Sequence, residues 1–202
     1  MDLYFSPLAC SLASRIALYE AGLPAAYHRV KDMTTPDGAD FLSINSRGQV
    51  PALRADDGEI LTENVSILEY IADQKPEAGL APSDKRERVR MRKWLALVNS
   101  ELHTVLGQML SKHTPEATKA HLKGRAVDVL TWLDLQLAGR TWLLDQYSVA
   151  DIYLAVVANW TQALPIDMKA YPNLNAHRAR VFARPAAAKG LGEEFEMYRA
   201  AA

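Results

Sequence analysis

One change of periodicity constrains this chain more than any other feature. Up to Asp73, short apolar runs with strand character alternate with helical spacing. The stretch Pro76-Glu77-Ala78-Gly79, followed by Pro82, interrupts both, and from Asp84 onward only the three-and-four spacing of helices remains. A chain of 202 residues that changes character once, at a proline- and glycine-marked segment, is expected to form two domains. The expected boundaries are residues 1–76 and 84–202, with 77–83 as the linker. No internal repeat is present.

The N-terminal stretch reads strand, helix, strand, irregular segment, hairpin, helix. Met1 to Phe5 (MDLYF) is a short strand. Cys10 to Ala21 sets Leu12, Ile16, Ala17 and Leu18 at helical spacing, and Gly22 stands where a helix would stop. Ala26 to Val30 is a second strand. Val50 to Leu53 and Glu59 to Leu61 flank Asp57-Gly58, a dipeptide suited to a tight turn, and Asn64 to Asp73 is helical. Parallel strands joined by a helix and closed by an antiparallel hairpin describe an α/β unit of thioredoxin type. Beyond the linker, a long helix carries Trp94, Leu95, Val98, Leu102, Val105, Leu106 and Met109. Further helices are expected near 116–138, 149–163, 173–183 and 186–198. Ser148-Val-Ala-Asp151 fits a capping box, a folding element without chemistry of its own.

Charge excludes some partners. The 23 basic and 24 acidic residues nearly cancel, so no global field points to nucleic acid or to a membrane surface. The basic run Lys85 to Lys93 has no interleaved aromatics and reads as a solvated face or a subunit contact. No apolar run approaches the roughly 18 residues that cross a bilayer. Pro7-Leu8-Ala9-Cys10 has the look of a lipoprotein cleavage site, but no Lys or Arg precedes it and the apolar stretch is too short, so no secretion signal is expected. A single cysteine cannot form an internal disulfide, which fits a reducing cytoplasm.

That cysteine has two readings. A strand that delivers Cys10 to the first turn of a helix sets its sulfur near unpaired amides and the positive end of the helix dipole, which favours thiolate. Alternatively it is a small buried hydrophobe. A reactive Cys10 would need an external thiol to resolve any disulfide, and glutathione is the abundant cytoplasmic candidate. Pro51, at the start of a strand, is either an edge-strand proline or a cis proline that frees the preceding backbone for an extended ligand. Thr62-Glu63-Asn64 opens a helix, whose amides either hold a carboxylate or are simply capped. His103, beside an apolar helix face, is a core residue or a catalyst.

Taken together, the motifs resemble the bacterial glutathione transferases of the beta class along essentially the whole chain. They are Ser6-Pro-Leu-Ala-Cys10-Ser-Leu, Gly48-Gln-Val-Pro-Ala-Leu53, Leu61-Thr-Glu63-Asn64, Ser100-Glu-Leu-His103 and Ser148-Val-Ala-Asp-Ile-Tyr153. The resemblance implies a thioredoxin-like N-terminal domain that binds glutathione, an all-helical C-terminal domain and a homodimer. It implies catalytic roles for Cys10, beside the glutathione sulfur, and for His103. Val50, before a cis Pro51 and next to Gln49, would pair its backbone with the cysteinyl moiety of glutathione. Glu63 and Asn64 would hold the γ-glutamyl end, and Ser100 and Glu101 would line the site across the dimer interface. Glutathione is then the co-substrate, no metal is expected, and a small hydrophobic electrophile is the second substrate, with Met109, Leu110 and Trp160 as candidates for its pocket. Thiol–disulfide exchange through a Cys10–glutathione mixed disulfide, or a non-catalytic docking module, are the competing functions. The chain departs from the family where a loop lysine is usual (here Met33-Thr-Thr-Pro36), at Ala96, where asparagine is common, and at Asn64, where Gly or Ser is common.

Overall fold

The computed structural model describes residues 1–200. Its elements are β1 (Asp2–Phe5), α1 (Ser11–Ala21), β2 (Ala26–Arg29), β3 (Ala52–Arg54), β4 (Ile60–Thr62), α2 (Asn64–Gln74), α3 (Lys85–Leu97), α4 (Thr104–Leu110), α5 (Glu116–Leu137), α6 (Val149–Asn159), α7 (Pro172–Phe182) and α8 (Pro185–Arg199). Two compact units result. One is Met1–Ala81 together with the chain from Ala183 onward, and the other is Pro82–Phe182.

In the first unit the four strands lie in the order β2-β1-β3-β4. β1 runs parallel to β2 and antiparallel to β3, and β3 pairs antiparallel with β4, so Leu3 stands opposite both Tyr27 and Leu53. Alternation along β1 and β3 separates two apolar layers. Tyr4 and Ala52 face a cluster with Val30 and Phe41, while Leu3, Phe5 and Leu53 are fully buried on the other side. Helices α1 and α2 pack on each other, and Gly22, at φ 64°, ends α1 as the sequence predicts.

The last helix departs from the expected boundary. Residues 84–202 are not one domain: α8 packs on α1. The reason is a close approach at Gly190, where an added Cβ would lie 3.2 Å from Ile16 and 3.6 Å from Leu12. Charge reinforces the contact, because Arg184 forks onto Glu20 at 2.6 and 2.8 Å.

The second unit is helical. Its centre is α6, buried on every side from Val149 to Ala158, as a helix apolar all round must be. The capping box forms at its start: Asp151 Oδ2 accepts from the Ser148 amide at 2.9 Å. Asp151 Oδ1 also takes the Leu143 amide at 2.9 Å and lies 2.8 Å from His177 Nε2, so one buried carboxylate ties three segments. The single long helix expected over Trp94 to Met109 is interrupted. Between α3 and α4, Val98–His103 form a π-helical turn, and the Thr104 hydroxyl reaches the Asn99 carbonyl at 3.0 Å across the widened ring.

Candidate functional site

In the first unit, β1 delivers the chain to a tight turn and then to α1. Within that turn Ala9 donates to the Ser6 carbonyl at 3.1 Å, and Leu8 sits at φ 60°, in the left-handed region. The Leu8 amide donates to Glu194 Oε2 of α8 at 2.8 Å. Glu194 is fully buried, and burial pushes its carboxyl up to about 7 even though the Arg15 guanidinium lies 3.4 Å away. Arg15, itself buried, also meets Glu193 at 3.4 Å and stacks over Phe5 and Tyr27, 4.7 and 4.4 Å from their ring centres. Neither Arg15 nor Glu194 stands out in the sequence. The two are 179 positions apart, and nothing local marks them as partners.

Cys10 caps α1, but its sulfur is not the exposed thiolate that helix-start position suggests. It is 7% exposed, and burial pushes the thiol up to about 12, outweighing the nearby backbone amides that favour the anion. Glu63 and Glu194 push in the same direction as burial. The neutral Cys10 Sγ–H donates to the Val50 carbonyl at 3.4 Å.

Val50 precedes Pro51 through a cis peptide bond, just ahead of β3. Its carbonyl takes the Cys10 thiol, and its amide has no hydrogen-bond partner among the described residues. The loop before it is shaped by Asn45, a residue that sequence reasoning missed. Asn45 Nδ2 donates to the Gln49 carbonyl at 2.7 Å, and the Asn45 carbonyl takes the Gly48 amide at 2.8 Å. Gly48 is at φ 63°, and a Cβ there would meet Met33 Sδ at 3.0 Å. Met33 therefore packs on this loop, where the resemblance leads one to look for a lysine. The Gln49 side chain is exposed.

The start of α2 meets the start of α1. Asn64 is buried, donating to the Cys10 carbonyl at 3.0 Å and accepting from the Ser14 hydroxyl at 2.6 Å. Its side chain is thus occupied within the protein. Glu63, just before it, holds φ 65° and ψ 117°, a conformation that costs a non-glycine residue about 1–3 kcal/mol. Its carboxylate projects outward, 3.5 Å from Arg47.

The second unit gathers the other candidates on the π turn. Ser100 is exposed, 3.4 Å from Glu101, which pairs with Arg125 of α5 at 3.3 Å. His103 is half-buried, with Nδ1 2.8 Å from the Tyr153 hydroxyl of α6 and the Trp160 ring edge-on at 5.0 Å. Asn99 is turned to Tyr153, 2.8 Å from its hydroxyl. Tyr153 ends the motif that begins at Ser148, but only the fold shows what its hydroxyl touches. Met109 is buried, while Leu110 is 40% exposed.

A four-stranded α/β unit bearing a cysteine at a helix start and a cis proline, with a helical unit following it, defines a class of two-unit α/β-plus-helical folds. Likeness to known proteins narrows it. Residues 9–74 match the glutathione S-transferase N-terminal domain and residues 89–185 the glutathione S-transferase C-terminal domain. The glutathione S-transferase GstA of Escherichia coli O157:H7 is 33% identical over 198 residues, 96% of this chain and 98% of that protein. Among solved structures, a sphingomonad glutathione S-transferase complexed with glutathione is 42% identical at a TM-score of 0.93, covering 96% of this chain and 98% of its own. A bacterial beta class enzyme of Sphingomonas chungbukensis is 41% identical at a TM-score of 0.92, with the same coverage. This chain belongs to the glutathione S-transferase family.

Proposed function

We propose that this protein is a glutathione transferase: it binds glutathione, favours the thiolate of that tripeptide and directs it at a small hydrophobic electrophile. The observation that carries the reading is the Cys10–Val50 contact. A main-chain amide without a partner and a thiol that can donate stand together at a strand start, which suits an extended cysteinyl ligand whose sulfur accepts from Cys10. In this role the neutral Cys10 thiol turns its one proton from the Val50 carbonyl to the glutathione sulfur, and Val50 and Pro51, with Gln49 beside them, frame the ligand backbone. The amides at the start of α2, behind Glu63 and Asn64, take the γ-glutamyl carboxylate. His103 exchanges a proton with the glutathione thiol, and Ser100 and Glu101 serve the site of a second copy in a homodimer. Val89, Trp132 and Leu135, left 62%, 38% and 65% exposed, support such pairing. The lone cysteine supports a cytoplasmic setting.

Disulfide exchange through Cys10 is the weaker reading, because a thiol held near 12 supplies almost no attacking thiolate at neutral pH. The deciding experiment is titration of the glutathione thiol in the complex, followed by thiolate absorbance. A bound pKa below that of free glutathione supports the proposal, each unit corresponding to about 1.4 kcal/mol. A bound pKa equal to the free value, or no binding, defeats it.

A further inference from the structure

Tyr153 is wholly buried on α6, and its hydroxyl oxygen lies 2.8 Å from Asn99 Oδ1 and 2.8 Å from His103 Nδ1. A phenol has one proton to donate, and a carboxamide oxygen can only accept. The Tyr153 proton is therefore committed to Asn99. The second contact must draw its proton from the imidazole, so His103 Nδ1–H donates to the phenolic oxygen. In the neutral ring this leaves Nε2 as the basic nitrogen. The surroundings hold the arrangement in place: the Thr104 hydroxyl anchors the Asn99 carbonyl at 3.0 Å, and the Trp160 ring meets the imidazole edge-on.

We infer that Tyr153, itself oriented by Asn99, is a positioning residue that fixes His103 as the Nδ1–H tautomer and so makes Nε2 the nitrogen that takes the glutathione proton. In that step the S–H bond breaks, the sulfur keeps the electron pair, and Nε2–H forms. The resulting imidazolium still donates from Nδ1 to Tyr153. The tautomer rests on the geometry alone, and the proton transfer rests on the role proposed above for His103.

The test is long-range proton–nitrogen NMR of protein labelled with 15N-histidine, at alkaline pH where the ring is neutral. His103 is assigned among the five histidines by its absence from His103→Gln. The expected spectrum shows Nδ1 protonated and Nε2 bare. Tyr153→Phe keeps the ring but replaces the 2.8 Å acceptor of Nδ1 by the longer contact to Asn99 Oδ1 at 3.5 Å, and Asn99→Leu frees the phenol proton to donate to Nδ1. Both shift His103 toward the Nε2–H form, and both lower kcat/KM for conjugation about tenfold with the KM for glutathione nearly unchanged. Nε2 protonated in the unsubstituted protein overturns the tautomer, as does a tautomer ratio unmoved by either substitution. Full activity in His103→Gln, together with the Nδ1–H spectrum in the unsubstituted protein, overturns the proton transfer alone.

Discussion

At Cys10 two opposing effects meet on one sulfur atom. The amides of a helix start lower a thiol pKa, burial raises it, and here burial dominates, leaving the group near 12. At pH 7 such a thiol is ionised in about one molecule in 10⁵. Iodoacetamide should accordingly label Cys10 in the native protein about a thousandfold more slowly than an unhindered cysteine, with the ordinary rate restored in urea. Conjugation should survive Cys10→Ala to within about tenfold, while the bound glutathione thiol titrates about one unit higher for want of one donor. The position of Cys10 at a helix start was legible from its neighbours in sequence. Its burial was not, because what covers it comes from Val50 and Asn64, 40 and 54 positions away. Asn64 makes the same point: a helix-opening asparagine reads as a cap or ligand group, yet its side chain is used up joining two helix starts.

At the scale of elements, β1 to α2 form close to where their periodicity places them, because alternation and turn residues are local signals. The π turn was not legible, since one widened ring leaves the apolar spacing of Trp94 to Met109 almost undisturbed. The partner of α8 was not legible either: a helical period announces that a face is buried, without saying against what. That partner sets a dependence on pH. The Glu194 carboxyl is held near 7 by burial, above its ordinary range, so the folded state binds its proton more tightly than the unfolded chain does. Its contribution is complete below about pH 4.5 and is lost as pH rises through about 7, a change of about 3 kcal/mol. Glu194→Gln should remove that loss, so that its melting temperature gains on the parent between these limits. At the start of α6, Asp151→Ala strips an acceptor from two buried amides and from His177. Urea unfolding should show a loss of about 3 kcal/mol or more.

Over the whole molecule, the division into two units was legible from the single change in periodicity, whereas the discontinuity of the first unit was not. A chain cut after Phe182 should keep the Pro82–Phe182 unit helical while the first unit loses its cover over Ile16 and Leu12 and the acceptor of the Leu8 amide. Far-ultraviolet dichroism with glutathione binding measures both, and full glutathione affinity in the shortened chain would contradict the role assigned to α8. The Gly190 contact makes a finer version of the same test. Gly190→Val places branched carbons against Ile16 at a site already within 3.2 Å, and should destabilise by about 1–3 kcal/mol.

The return of α8 to α1 has a further consequence for how the polypeptide is made. A ribosome releases residues in order, so the β1–α2 segment cannot complete its own packing until α8, far along the chain, has also been read. The Pro82–Phe182 unit, continuous in sequence, is free to mature in the meantime, so of the two units the one whose translation starts earlier is completed later.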